Sequence, residues 1–423
     1  MDKNIHNIMD KNIHNIMDKN IHNEMDKKNK NNDETNILLK EKIEACLFLS
    51  SYLDTVGFKN GQYEFKFNAI VNDHKDSAMV SNRLLNDFFI LGGFNYFPIK
   101  NLIASDDTLL LLATTQAIID DGGEINYIKN YLNWYPNITP KRGIGIQTDK
   151  SLSLLDYKFK KKKEESYIKY LKYDEEMGGN GAAIRTATIG IKWSNNIDKI
   201  IEESIIASRV THNYYTGFLG GVISALFTSF AINNIPPWIW LDKLLEIHEN
   251  NKIINYIHTT DFKNTIDNDI KKYFYYLYKY KEERLNDIIT FRKKDSIIRS
   301  EFKTIELLPY NEKLQKLVNN GFVDFKAIGT SGLDVIIYAY ESLLLSIVPM
   351  PNYSVDLNNP VYSWESLIYF TCLSMGDSDS IGAIAGAWFG ALNGFYNIDR
   401  NKFNDLEFYN EIKYISEKLY KQL

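Results

Sequence analysis

Cysteine is almost missing from this chain. Its 423 residues hold two, Cys46 and Cys372, too few for a disulfide framework or a four-thiolate zinc site. That usage fits a reduced compartment such as the cytoplasm. Positive charge is not in excess either: 49 Lys and Arg face 54 Asp and Glu, a formal net charge of -5. Nucleic-acid duplexes are held by clustered cations that displace counterions from phosphate, so this balance argues against a nucleic-acid partner. Long apolar runs are also lacking. The most membrane-like stretch, 214–241, carries no formal charge but is interrupted by Asn233-Asn234 and Pro236-Pro237. Its apolar part falls short of the ~20 residues a membrane span needs, so it is read as a buried helix and no membrane is expected. The opening MDKNIHNIMD has neither an apolar core nor a small-residue cleavage site, so it is not read as a secretory signal. Finally, no Pro/Gly/Ser-rich linker and no succession of short strands joined by Asn-Gly or Asp-Gly turns can be found.

What is present begins with a repeat. MDKNIHNI occurs twice, MDKNIHNE follows, and the pattern then decays into MDKKNKNNDE. So polar a tract cannot bury enough surface to offset its ordering entropy, and 1–36 is expected to be a disordered tail. His6, His14 and His22 do not form a metal comb, because positions eight apart on a helix drift by roughly 80°. The abundance of Asn, Ile, Lys and Tyr elsewhere reads as nucleotide bias of the source. From residue 37 onward the apolar spacing is helical, and the expected fold is all-α, one domain over 37–423. Helices are predicted from 37 to 54 with Gly57 as the stop, and over 109–119, 195–211, 218–232, 270–289, 333–347, 363–375 and 381–392. The basic run Lys158, Lys160, Lys161, Lys162 and Lys163 is expected in a solvated loop beside a helix.

Several familiar sites fail on spacing. His248-Glu249 lacks the second histidine of a zinc-protease helix. Gly329-Thr330-Ser331-Gly332 lacks the glycine two residues after the serine of a nucleophile elbow, and no phosphate loop ending in Gly-Lys-Ser/Thr occurs. Two acidic clusters remain: Ser105-Asp106-Asp107-Thr108 and Asp377-Ser378-Asp379-Ser380. Each places hard oxygen donors where an apolar helix begins. Capping alone would explain one acceptor per helix, yet each cluster offers two carboxylates and hydroxyls. If the two helix starts meet, four aspartates converge and repel; two divalent cations balance the formal charge. Oxygen-only ligands favour Mg²⁺ or Mn²⁺. Behind the second cluster, Gly382, Gly386 and Gly390 recur every four residues beside Ala383, Ala387 and Ala391, the mark of a face for close helix packing.

Five stretches, in order, resemble the ADP-ribosylglycohydrolase family, and most closely its ADP-ribosylarginine hydrolase branch: SDDTLLLLATTQAI at 105, GGNGAAIRTATIGIKW at 178, ASRVTHNYYTGFLGGVISALFTSF at 207, GTSGLDVIIYAYESLL at 329 and MGDSDSIGAIAGAWFGAL at 375. LDTVGFKNGQYEF at 53 and the RGIG loop at Arg142 match more weakly. The resemblance implies an all-α fold holding two Mg²⁺ ions, with Ser105, Asp106, Asp107, Asp377, Asp379 and Ser380 as metal ligands. It implies hydrolysis of the bond between the anomeric carbon of ADP-ribose and an acceptor side chain, with Asp106, Asp107, Asp377 and Asp379 as the catalytic carboxylates. Gly178, Gly179, Asn180, Gly181, His212, Thr330 and Ser331 are expected to cradle ADP-ribose, and Arg185 to be an internal salt-bridge anchor.

Two positions depart from the family's pattern. Leu53 stands where a glycine is usual, which would crowd the approach to the metals, and Glu176-Met177 replace glycine ahead of the phosphate loop. The expected partner is ADP-ribose or an ADP-ribosylated protein. The expected activity is removal of mono-ADP-ribose from arginine; the alternatives are serine-linked, polymeric or small-molecule ADP-ribosyl conjugates, or an ADP-ribose-binding relative without catalysis. A terpene-synthase-like Mg²⁺ site would need an aspartate where Leu110 stands.

Overall fold

The computed structural model describes residues 36–65, 74–285, 328–349, 355–374 and 376–423. The octapeptide repeats, the end of the helix predicted over 270–289, and Met375 lie outside them. Lys42–Leu423 forms one compact unit. It is all-α: among the described residues the only β pairings are two isolated bridges, Gly179 with Ser331 and Ile347 with Tyr362.

Helical backbone runs from 36 to 58, and its part inside this unit, 42–58, is named α1. Gly57 does not stop it. A side chain there would lie 2.6 Å from the Ser378 carbonyl oxygen, so the glycine marks a close helix approach rather than a terminus. The helices that follow are α2 (His74–Ile90), α3 (Asp106–Ile119), α4 (Gly123–Trp134), α5 (Ile146–Lys161), α6 (Gly181–Arg185), α7 (Ala187–Lys192) and α8 (Ile197–Arg209). Then come α9 (Tyr215–Ile232), α10 (Trp240–Glu249), α11 (Lys252–Thr259), α12 (Asp267–Tyr280), α13 (Asp334–Leu345), α14 (Trp364–Thr371), α15 (Ser378–Asn393) and α16 (Tyr409–Tyr420). The basic run is corrected: Lys158, Lys160 and Lys161 form the last turn of α5, where cations complement the helix dipole.

The core is built around α9, whose residues are all buried except Thr216. It is long and apolar enough to cross a membrane, yet 94% of it is buried inside the protein. Helices α6, α7, α8 and α15 pack around it, and the Trp388 indole of α15 donates to the Ser224 carbonyl of α9 at 3.1 Å. Such approaches require small residues: a methyl on Gly220 would collide with Gly332, and one on Gly190 with the Ala225 carbonyl. The glycine stripe of α15 does the same against α1. Methyls on Gly382 and Gly386 would stand 3.0 Å and 2.6 Å from the carbonyl oxygens of Leu53 and Leu49, and one on Gly390 would collide with Ala45. Matching four-residue steps on both helices let their backbones nearly touch. This seam carries the start of α15 to the region where α3 begins.

Candidate metal centre and ligand cleft

Ser105 is the N-cap of α3, accepting from the Asp107 amide at 3.1 Å. That one hydroxyl does the capping, so the carboxylates of Asp106 and Asp107, both in the first turn, are not needed for it. Asp377 is the N-cap of α15 but makes no capping bond with its side chain. The helix starts meet: Ser380 Oγ donates to Asp107 Oδ2 at 2.9 Å. Two more carboxylates join them. Oxygens of Asp54, Asp107 and Asp379 lie within 4.8 Å of one another, as do those of Glu64, Asp377 and Asp379.

Asp54, Asp106, Asp107, Asp377 and Asp379 are all buried, and among the described residues no lysine or arginine pairs with any of them. Burial first, and then the charge of neighbouring carboxylates, pushes the Asp106 carboxyl up to about 7 and those of Asp107 and Asp379 well above the usual range. Burial raises Asp377 and Asp54 to about 6, with hydrogen bonds to each opposing the rise. Asp54 accepts from the Ser105 amide and from the Thr108 hydroxyl. Asp379 Oδ1 is buried with no hydrogen-bond partner among the described residues. Crowded, unpaired, buried carboxylates with an orphaned oxygen form a donor set suited to hard divalent cations.

This cluster forms one end of a cleft of about 520 Å³, a size suited to a small-molecule ligand. Asp106, Asp107, Asp377, Asp379 and Ser380 line it, and so do Gly179, Asn180, Gly181, His212 and Thr330. Three expected site residues do not face the cleft, each for a local reason. The Ser105 hydroxyl is the α3 cap. The Gly178 carbonyl accepts from Thr216 Oγ1 at 3.0 Å and from the Gly332 amide at 3.1 Å. Ser331 Oγ accepts from the Leu333 and Asp334 amides at the start of α13.

Asn180 was expected to offer donors to a ligand, but both amide hydrogens are engaged: one goes to the Gly329 carbonyl at 2.7 Å and one to Asp377 Oδ2 at 2.9 Å. It orients a carboxylate instead. Gly329 needs its positive φ of +86° and its missing side chain, since a methyl there would stand 3.1 Å from Asp377 Cβ. Leu53 does not crowd the centre. Its side chain points into the α1–α15 seam, with Cδ1 3.1 Å from where a methyl on Gly386 would lie. Met177 is buried, while Glu176 lies on the cleft wall. Arg185 is an anchor without a salt bridge among the described residues: its partners there are carbonyls and hydroxyls.

Sequence reading missed Asp54 and Glu64 as members of the cluster. Asp54 carried a faint signal, an aspartate inside an apolar helical run. Glu64 carried none, since its position depends on the turn Lys59–Gly61 after α1.

A family model described as ADP-ribosylglycohydrolase matches residues 35–423. A protein of Acanthamoeba polyphaga mimivirus named "Putative ADP-ribosyl glycohydrolase" is 31% identical over 402 residues, 87% of this chain and 67% of its own length. The Dictyostelium discoideum ADP-ribosylhydrolase ARH1 is 30% identical over 399 residues, covering 90% of this chain and 94% of its own. Among solved structures, an ADP-ribosylglycohydrolase-related protein complex superposes with a TM-score of 0.51 at 14% identity, covering 91% of this chain and 98% of that one; this speaks for the fold. With a matching model over nearly the whole described chain and an acidic cleft between two helix starts, this chain is a hydrolase that belongs to the ADP-ribosylglycohydrolase family.

Proposed function

We propose that this protein is a Mg²⁺-dependent hydrolase that removes mono-ADP-ribose from arginine side chains, with two cations held by Asp106, Asp107, Asp377, Asp379 and Ser380. Asp54 completes the carboxylate set around them, and Glu64 stands beside Asp377 and Asp379 at its margin. The observation that carries this reading is the convergence of buried, unpaired carboxylates at the end of the cleft. Held there, Mg²⁺ would supply positive charge to orient ribose hydroxyls and to acidify a water.

The chain's own residues supply the rest. A carboxylate oxygen of the cluster not engaged with a cation accepts the proton of the attacking water as the bond from the anomeric carbon to the guanidino nitrogen breaks, and the departing guanidine leaves as, or is quickly protonated to, guanidinium. Asn180 keeps Asp377 turned toward the cleft. Gly179 and Gly181 leave the cleft wall free of side chains, and His212 and Thr330 border the same wall, so a pyrophosphate can approach backbone there.

Arginine as acceptor is supported by the stretches at 207 and 329, which resemble the arginine branch most, and by the cleft wall next to the acidic cluster. Glu64 and Phe65 adjoin there. A carboxylate beside an aromatic ring suits a guanidinium, which bonds the first and stacks on the second; a serine hydroxyl can donate to the first but has no charge or plane to set against the ring. The test is release of ADP-ribose from arginine-modified and serine-modified peptides side by side. Release from arginine alone is expected. Release from serine alone would move the activity to the other linkage, and binding of ADP-ribose with no release from either would make the protein a binding relative.

A further inference from the structure

Behind the cleft wall lies a buried relay. Arg185 is fully buried on α6 and makes no ion pair among the described residues. Its Nε donates to the Tyr131 hydroxyl at 3.0 Å and its Nη1 to the Gly181 carbonyl at 3.0 Å. Its Nη2 donates to the Ala207 carbonyl at 3.0 Å, the Ser208 carbonyl at 3.3 Å and Thr211 Oγ1 at 2.6 Å. A guanidinium has hydrogens and no acceptor, so Thr211 Oγ1 must accept in that last contact. The single hydroxyl hydrogen of Thr211 is then left for its other partner, His212 Nδ1, at 2.8 Å. Reversing that bond, with the ring as its neutral Nδ1–H tautomer, would strand the Thr211 hydroxyl hydrogen in a fully buried place.

The far side of the ring completes the pattern. Nε2 has no hydrogen-bond partner among the described residues, and His212 is buried yet lines the cleft. Methyls on Gly179 and Gly181 would stand 3.3 Å and 3.2 Å from Nε2, so these glycines keep its approach clear. From this geometry we infer that Arg185 and Thr211 lock His212 as the neutral Nε2–H tautomer, so that the imidazole offers the cleft a fixed hydrogen-bond donor and never an acceptor. The ligand group that suits it is an anionic oxygen, a phosphate oxygen of ADP-ribose under the function proposed above, on which this last step rests. Burial and then the Arg185 charge lower the His212 imidazole to about 3, which keeps the ring neutral at working pH. Thr211 and Arg185 are positioning residues: they act on the ligand only through His212.

The test uses the full chain labelled with ¹⁵N at histidine, with His212 assigned by comparison with His212→Gln. Long-range ¹H–¹⁵N spectra of the ligand-free wild type should show the Nε2–H tautomer, and addition of ADP-ribose should perturb Nε2. Thr211→Val should give mixed tautomers and weaken ADP-ribose binding about tenfold, with the loss of activity appearing in KM rather than kcat. Thr211→Ser, which keeps the hydroxyl, should restore both signals. An Nδ1–H tautomer in the wild type overturns the relay, and so does a folded Thr211→Val variant with unchanged tautomer and affinity. If Thr211→Val does not fold, the wild-type spectrum and Thr211→Ser decide. The tautomer is read without ligand, so a wild type that ignores ADP-ribose refutes the proposed function while the relay stands or falls on its own spectrum.

Discussion

The two ends of the cleft are built in opposite ways. At one end, Asp54, Asp106, Asp107, Asp377 and Asp379 are buried together; burial raises the proton affinity of all five, neighbouring carboxylate charge adds to it for Asp106, Asp107 and Asp379, and Asp379 keeps an oxygen without a hydrogen-bond partner among the described residues. At the other, Arg185, Thr211 and His212 form a chain in which each guanidinium nitrogen, the threonine hydroxyl and the Nδ1 of the ring has a hydrogen-bond partner. The first end carries crowded carboxyls whose charge protons or a bound cation can neutralise. The second is finished by the chain itself. A site under mutual repulsion costs stability in the folded state and persists where it is used, whereas a satisfied network merely holds a group in place.

Breaking the acidic end should have the largest effect. Asp379→Ala or Asp107→Ala should lower kcat about 10³-fold or more, while the metal-free variant melts at the same temperature as the wild type or higher, because a repelling buried carboxylate is gone. Steady-state rates and thermal melts in EDTA check this together. A variant with wild-type turnover contradicts the assignment of these aspartates.

Acidity sharpens the comparison next. The carboxyls of Asp54, Asp106 and Asp377 stand at about 6, about 7 and about 6, above their unfolded values. The folded metal-free protein therefore holds more protons than the unfolded chain between about pH 4 and about pH 7, and its stability must fall as pH rises through that window. Mg²⁺ should flatten the fall, because it favours the ionised carboxylates that protons compete for. Denaturant titrations across that range, in EDTA and in Mg²⁺, provide the check.

A smaller effect is expected where the two ends meet. Asn180→Ala removes the donors to Asp377 and to the Gly329 carbonyl; about tenfold should be lost from kcat/KM, the worth of a hydrogen bond to a charged group. The smallest effect belongs to the N-terminus. Deleting residues 1–34, which precede the family match, should leave kcat within about twofold, and a large loss would give the repeat a role in the reaction.

Much of this was legible in the chain because the same residues serve local and global order. Ser105-Asp106-Asp107 and Asp377-Ser378-Asp379-Ser380 stand out as oxygen donors pressed against apolar helices, and the glycines of α15 repeat at the helical period. Boundaries were harder. Gly57 reads as a stop in sequence but lies within helix, because its partner, the backbone at Ser378, is more than three hundred residues away. Helices α4 and α16 escaped notice for a different reason: their buried faces, with Tyr127, Ile128 and Tyr131 or Ile412, Ile415 and Leu419, alternate with Asn, Lys and Tyr in a chain rich in all three. Asp54 and Glu64 join the acidic end only through the fold. Arg185 looked like half of an ion pair, since sequence cannot show that its partners are backbone carbonyls and a threonine.

The account's central claim is that the acidic end is a divalent-cation site on which hydrolysis depends. The direct measurement is the initial rate of ADP-ribose release from an arginine-modified peptide, titrated with Mg²⁺ from an EDTA-treated start. The account predicts no release in EDTA and a rate that rises to saturation with Mg²⁺. An undiminished rate in EDTA would contradict it.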